Sequence, residues 1–262
     1  MAAHEIDYRI IGEEMQCVEI QLDQRESVVA EAGSFMMMDQ DIHMETIFGD
    51  GSNQGGGIMG KLMGAGKRLL TGEGLFMTVF TNEGHHRQSV TFASPYPGKI
   101  IPLDLAMLGG KIICQKDSFL CAAKGVSVGI EFQRRLGTGF FGGEGFIMQK
   151  LEGDGLAFVH SGGLVLEKTL APGELLRLDT GCLVAMTSNV DYNIEMVKGV
   201  KTALFGGEGL FYATLRGPGK VWVQSLPFSR LADRVLSSAR FGGRGGKDEG
   251  SVLGGLGNLF ER

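Results

Sequence analysis

The sequence predicts a mainly β protein of three tandem units with internal pseudo-threefold symmetry, followed by a short helix and a glycine-rich tail. Three observations carry this reading. Glycine is abundant and proline scarce, 43 against six in 262 residues, and that glycine share is about twice the usual ~7%. Many short strands joined by tight turns use glycine this way, and without a Gly-X-Y period neither collagen nor Pro-rich disorder fits. The other two observations are sequence anchors that each occur three times.

The first anchor is Gly-Glu-Gly, in "TGEGLFMTVFTNEG" (71–84), "GFFGGEGFIMQKLEGDG" (139–155) and "ALFGGEGLFYATLRGPG" (203–219). Its last glycine is Gly74, Gly145 or Gly209, and ten residues on stand Gly84, Gly155 and Gly219. Apolar-rich runs flank each of these later glycines, so each copy reads as strand, glycine turn, strand: a β-hairpin. The second anchor is an acidic residue with Ser or Thr ahead of an apolar strand, in "ESVVAEAGSFMMM" (26–38), "DSFLCAAKGVSVG" (117–129) and "DTGCLVAMTSNVD" (179–191). Two copies are also preceded by similar strands, "GGKIICQK" (109–116) and "PGELLRL" (172–178).

These anchors bound the units at 5–95, 96–161 and 162–228, the first lengthened by an insert at 48–70. A short unit cannot bury its own apolar face, so the three are expected to share one body rather than sit as beads. Beyond them, "SRLADRVLSSAR" (229–240) places Leu231, Val235 and Leu236 at helical spacing, with Ser229 as N-cap and Gly242 as stop. The remainder of 229–262 is a glycine-rich tail, expected to be mobile.

Composition narrows the function. Hydrophobic residues make up 43% and charged residues 21%, enough for a real core, and a net charge of −5 speaks against nucleic acid as a partner. Cys17, Cys114, Cys121 and Cys182 lie singly in apolar runs and read as small buried hydrophobes. The N-terminus has no basic n-region with an apolar h-region, and no apolar run reaches the ~18 residues of a spanning helix. The expectation is a soluble cytoplasmic protein.

No catalytic constellation emerges, so an enzyme is not expected. The nearest approach to a phosphate loop, "GKLMGAGKR" (60–68), has its first glycine one place too far away and Arg68 where Ser or Thr should bind magnesium. His4, His43, His85, His86 and His160 form no H-x-x-x-H, and the adjacent His85 and His86 read as solvated turn residues. Ser161 beside His160 reads as a strand-end turn, since no G-x-S-x-G surrounds it. No cofactor is implied.

Two candidate sites remain. Glu73, Glu144 and Glu208 occupy equivalent positions, and near-threefold symmetry would gather three carboxylates about one axis, a set suited to a hard cation or a small ligand. The favoured alternative has each glutamate accepting backbone N–H groups at its own turn. In the insert, Ile58, Met59, Leu62 and Met63 recur on one face of a short helix beside Lys61, Lys67 and Arg68. An apolar stripe next to positive charge suits an anionic lipid surface or a protein partner. The eight glycines of 48–70 favour instead a mobile loop or a cover for the protein's own core.

The runs "KRLLTGEGLFMTVFTNEG", "VTFASPYPGKIIPLDL", "GGKIICQKDSFLCAAKGV", "LGTGFFGGEGFIMQKLEGDGLAFV" and "GVKTALFGGEGLFYATLRGPGKVWVQSLP" recur in the order found in a bacterial family. Over residues 5–235 the chain resembles this TRAP-like mitochondrial-biogenesis family, so called for its similarity to the tryptophan RNA-binding attenuation protein. The resemblance implies three tandem TRAP-like β-sandwich units and homo-oligomers, and it supplies no catalytic residues. RNA binding would follow from fold analogy alone, and fold does not determine function. The expectation is a non-enzymatic oligomeric scaffold or binding protein whose insert or tail meets a membrane surface or a protein.

Overall fold

The computed structural model describes residues 2–48, 76–134, 146–196 and 211–241. The chain divides into a body, Met1–Phe228, and a C-terminal segment, Ser229–Arg262. Strands of the body fall into three runs. The first holds β1 (Asp7–Ile11), β2 (Cys17–Leu22), β3 (Ser27–Glu31), β4 (Phe35–Met38), β5 (Ile42–Phe48), β6 (Phe76–Asn82) and β7 (Gln88–Ala93). The second holds β8 (Gly98–Asp104), β9 (Lys111–Gln115), β10 (Phe119–Ala123), β11 (Ser127–Arg134), β12 (Phe146–Glu152) and β13 (Leu156–Gly162). The third holds β14 (Val165–Leu170), β15 (Leu175–Asp179), β16 (Leu183–Thr187), β17 (Asp191–Met196), β18 (Phe211–Arg216) and β19 (Gly219–Gln224).

Burial follows the pattern of each strand. In β2, Val18, Ile20 and Leu22 are buried while Cys17, Glu19 and Gln21 are only partly so, the period of a strand with one face on the core. By contrast β10 (FLCAA) and β16 (LVAMT) are buried at every residue, which is why they read as unbroken apolar runs.

The sheets run β1-β2-β7-β4, β5-β6-β3-β10-β13-β8, β11-β12-β9-β16-β19-β14 and β15-β18-β17. The same pairings recur in each run. The last strand lies between two others as β2-β7-β4, β8-β13-β10 and β14-β19-β16, and the strand before it as β5-β6-β3, β11-β12-β9 and β17-β18-β15. Even an irregularity recurs: a register shift falls at Phe35/Met37 in β4, Phe119/Cys121 in β10 and Leu183/Ala185 in β16. Neighbouring runs are joined strand to strand. Cys121, Ala122 and Ala123 of β10 pair with Ala30, Val29 and Val28 of β3, and Ala185, Met186 and Thr187 of β16 pair with Cys114, Ile113 and Ile112 of β9. One core cluster draws on all three runs, with Val29 and Val79, Leu103 and Ile112, and Val184 and Trp222.

Two expectations need correction. The strands about Gly84, Gly155 and Gly219 are not hairpins. β6 and β7 lie in different sheets, as do β12 and β13, and β18 and β19. Each glycine turn is a corner at which the chain leaves one sheet for another, because β6 is already flanked by β5 and β3 and β7 by β2 and β4. The glycines serve close approach: an added Cβ would stand 2.8 Å from Asp41 Cβ at Gly84, 2.5 Å from Ala3 Cβ at Gly155 and 2.5 Å from Thr187 Oγ1 at Gly219. At the first corner the buried Asn82 side chain donates to the carbonyls of Leu22 (2.9 Å) and His86 (2.8 Å) and accepts from Gly84 N–H (2.9 Å).

The second correction concerns 26–38, where the single expected strand is two, β3 and β4, separated at Gly33 with φ of 92°. By its pairing and its register shift, β4 and not β3 is the counterpart of β10 and β16. In the C-terminal segment the expected helix is α1 (Phe228–Phe241). It starts one residue early, so Ser229 falls in its first turn; Gly242, the expected stop, lies outside the described residues.

Candidate functional site

The residues singled out by sequence lie outside the described residues: Glu73, Glu144 and Glu208, and Ile58, Met59, Lys61, Leu62, Met63, Lys67 and Arg68 of the insert. The phosphate-loop lookalike at 60–68 does too. Among the described residues no group of three His, Cys, Asp or Glu could hold a metal ion. Among them also, no helix is long and apolar enough to cross a membrane.

The structure instead gathers titratable groups where the first run meets the second. Glu31 closes β3, and burial pushes its carboxyl up to about 7, with the Asp117 charge adding to the rise and Lys116 opposing it. His160, 2% exposed, is held down to about 4 by burial against a hydrogen bond to the Asp117 backbone, and its Nδ1 has no hydrogen-bond partner. Its ring meets Tyr96 edge to face at 5.0 Å, and Tyr96 stacks on Phe228 at 5.4 Å. Tyr96 and the thiols of Cys114 and Cys121 are all pushed up by burial, which keeps the thiols protonated and poor nucleophiles.

His160 and Ser161 are not a strand-end turn, as expected, but lie inside β13 with both side chains buried. Ser161 Oγ donates to the Lys99 carbonyl at 3.3 Å, so hydroxyl and imidazole serve separate backbone groups. In the third run Gln224 stands where His160 stands in the second. Its Nε2 donates to the Gly181 carbonyl (2.8 Å) and its Oε1 accepts from Gly162 N–H (2.7 Å), tying the second run to the third. This cluster is a joint between strands. His85 and His86 are exposed as expected, with His85 Nδ1 3.0 Å from Gln24 Nε2.

The exposed feature is a pair of sheet edges. Among the described residues β4 pairs only with β7, and all four of its residues are exposed, Met36 at 54% and Met37 at 50%. Met44 of β5 is exposed too. The counterparts of β4, which are β10 and β16, are covered on the corresponding side by β3 and β9. The strand matching β3 and β9 in the third run is β15, which among the described residues pairs only with β18 and exposes Leu175. A closed threefold arrangement asks for a third junction, β15 to β4, and among the described residues that pairing is not made. Sequence reading passed over these edges. The available signal was Met36-Met37-Met38 in an extended stretch, since a strand with one buried face needs only alternate apolar residues.

Comparison with known proteins adds the following. The sequence pattern of the family described as Mitochondrial biogenesis AIM24 matches residues 8–226. An "uncharacterized protein" of Streptococcus pyogenes serotype M6 is 31% identical over 219 residues, 82% of this chain and 83% of the relative. An X-ray crystal structure of a Streptococcus pyogenes protein superposes with a TM-score of 0.70 at 25% identity, covering 89% of this chain and 100% of that one.

Proposed function

The chain belongs to the mitochondrial biogenesis AIM24 family, and from that premise we propose a non-enzymatic scaffold that assembles edge to edge with copies of itself. One observation carries the reading. Among the described residues β4 is an uncovered apolar edge at the place in the pairing order where β10 and β16 are covered, and β15 is the uncovered counterpart of the strands that cover them. A bare, apolar strand edge is a template for pairing with another chain. The two intact junctions supply a register for the third. Counting from the bulges, Met37 faces Leu178, Met38 faces Arg177 and Asp39 faces Leu176 of the next copy.

Such a contact is head-to-tail, and it closes into a ring when the rotation per copy divides a full turn. In this reading the three strand runs are the TRAP-like units of 5–95, 96–161 and 162–228. The assembly acts in the cytoplasm, with the 48–70 insert or the tail meeting a membrane surface or a protein.

Cysteines at Met37 and Leu178 test the edge. Under oxidation the double variant is expected to cross-link between chains and each single variant to remain uncrosslinked. A wild-type chain that sediments as a monomer at high concentration would sink the reading. Co-sedimentation with anionic vesicles, with and without 49–70, tests the membrane contact; no binding by either leaves a protein as the partner.

A further inference from the structure

Residues 2–5 lie across the junction between the first two strand runs. Ala3 N–H donates to Asp154 Oδ1 at 2.8 Å, and His4 N–H donates to the Lys124 carbonyl at 2.9 Å. Ser27 N–H, at the start of β3, donates to His4 Nδ1 at 2.9 Å. Lys124 N–H, just past β10, donates to the Ser27 carbonyl at 3.0 Å. Ala3 also fills space that two glycines leave open: an added Cβ at Gly125 would stand 2.7 Å from Ala3 Cα, and one at Gly155 would stand 2.5 Å from Ala3 Cβ. Ile6, next along, is buried in a core cluster to which both runs contribute, with Val18 and Val28 from the first and Leu120 and Phe158 from the second. At Gly219, the matching place in the third run, Thr187 and Val190 of that same run fill the space. Among the described residues at these three corners, the one in the second run takes its nearest neighbour, Ala3, from outside its own run.

We infer that residues 2–5 form a strap that fastens β3 to β10, and that acid opens it at the His4 imidazole. His4 Nδ1 accepts a hydrogen bond, so it must carry no proton while the strap is closed. A proton there sets an N–H against the Ser27 N–H and places a positive charge beside Lys124. Burial and Lys124 hold the imidazole below its ordinary range, while Glu26 opposes them. Asp154, on the other side, is engaged by the Ala3 amide. For a group whose pKa is lowered by closure, closure is complete above the ordinary value and is lost as the pH falls through the lowered one.

The test is nuclear magnetic resonance of the full chain, following the His4 ring and the Ser27 amide protection factor from about pH 8 to about pH 4.5. His4 is expected to titrate below the ordinary ~6.5. Ser27 protection is expected to fall with that titration, by about tenfold for each pH unit by which His4 is lowered. His4→Asn keeps an acceptor near the Nδ1 position and cannot titrate, so its Ser27 protection is expected to be independent of pH. Asp154→Asn is expected to lower protection at every pH. Protection that stays level through the His4 titration, or a His4 that titrates at the ordinary value or above, overturns the inference. The wild-type titration decides the matter even where a variant opens the strap by poor fit.

Discussion

β4 and β10 do the same thing in the pairing order and live in opposite surroundings. Each starts on a phenylalanine, each pairs with the last strand of its run, and each bulges two residues in. Phe119 of β10 is 2% exposed and Phe35 of β4 is 41% exposed, the difference being that β3 lies alongside β10 while β4 has an open flank. The comparison teaches that one local pattern yields core or edge according to whether a neighbour arrives. Among the described residues the apolar side chains of β4 have no such neighbour.

The most severe way to break the comparison is to truncate both phenylalanines. Phe119→Ala is expected to cost about 3–5 kcal/mol in urea unfolding and Phe35→Ala, though it stacks on Phe80 at 5.3 Å, about 1 kcal/mol or less in the unassembled chain. Equal losses would show that β4 is as buried in solution as β10. Next in size is Asn82→Ala, which strands two carbonyls and one N–H at the first corner; about 2–3 kcal/mol is expected, read as a lower urea midpoint with an unchanged slope.

A pH series sharpens the contrast between the joined and the bare flank. Glu31 belongs to the β3–β10 joint, and its folded pKa near 7 lies above the usual 4.5. The stability carried by the neutral acid is therefore full below pH 4.5 and is lost as the pH rises through about 7. Glu31→Gln is expected to flatten that loss and to stabilise at alkaline pH by on the order of 1–2 kcal/mol, measured as melting temperature against pH. His160 acts in the reverse sense: its contribution is full above 6.5 and is lost as the pH falls through about 4. The smallest effect on folding belongs to Met37→Lys, within about 0.5 kcal/mol, although sedimentation velocity should show assembly abolished. A charged β4 that still assembles would place the contact elsewhere.

The strands were legible because the alternation of β2 and the unbroken apolar runs of β10 and β16 follow directly from one or two buried faces. The corners were not. A ten-residue spacing between glycines is the same whether the flanking strands pair or part, and the choice is made by β3, β5, β2 and β4, which are distant in sequence. Gly33 hid the boundary between β3 and β4 for a related reason, since a single glycine in an apolar run reads equally as a weak point in one strand or as the break between two. The polar joint of Glu31, Asp117, His160 and Tyr96 left no trace in local pattern, because its members come from four separate segments. Of the residues that sequence put forward as sites, none falls among those described. The exposed edge was written plainly as Met36-Met37-Met38, and it needed the uncovered flank to be recognised.

The glycine that ends each corner has a consequence of its own. What the three runs share at Gly84, Gly155 and Gly219 is a hollow, and the nearest tenants differ: the Asp41 side chain, the Ala3 methyl, and the side chains of Thr187 and Val190. The repeated instruction is to leave room. An instruction of that kind constrains one residue and frees its neighbours, so each run could acquire a different tenant without disturbing the mould. Only the hollow therefore survives as a visible repeat, while the tenants are where the three runs are free to take up separate duties.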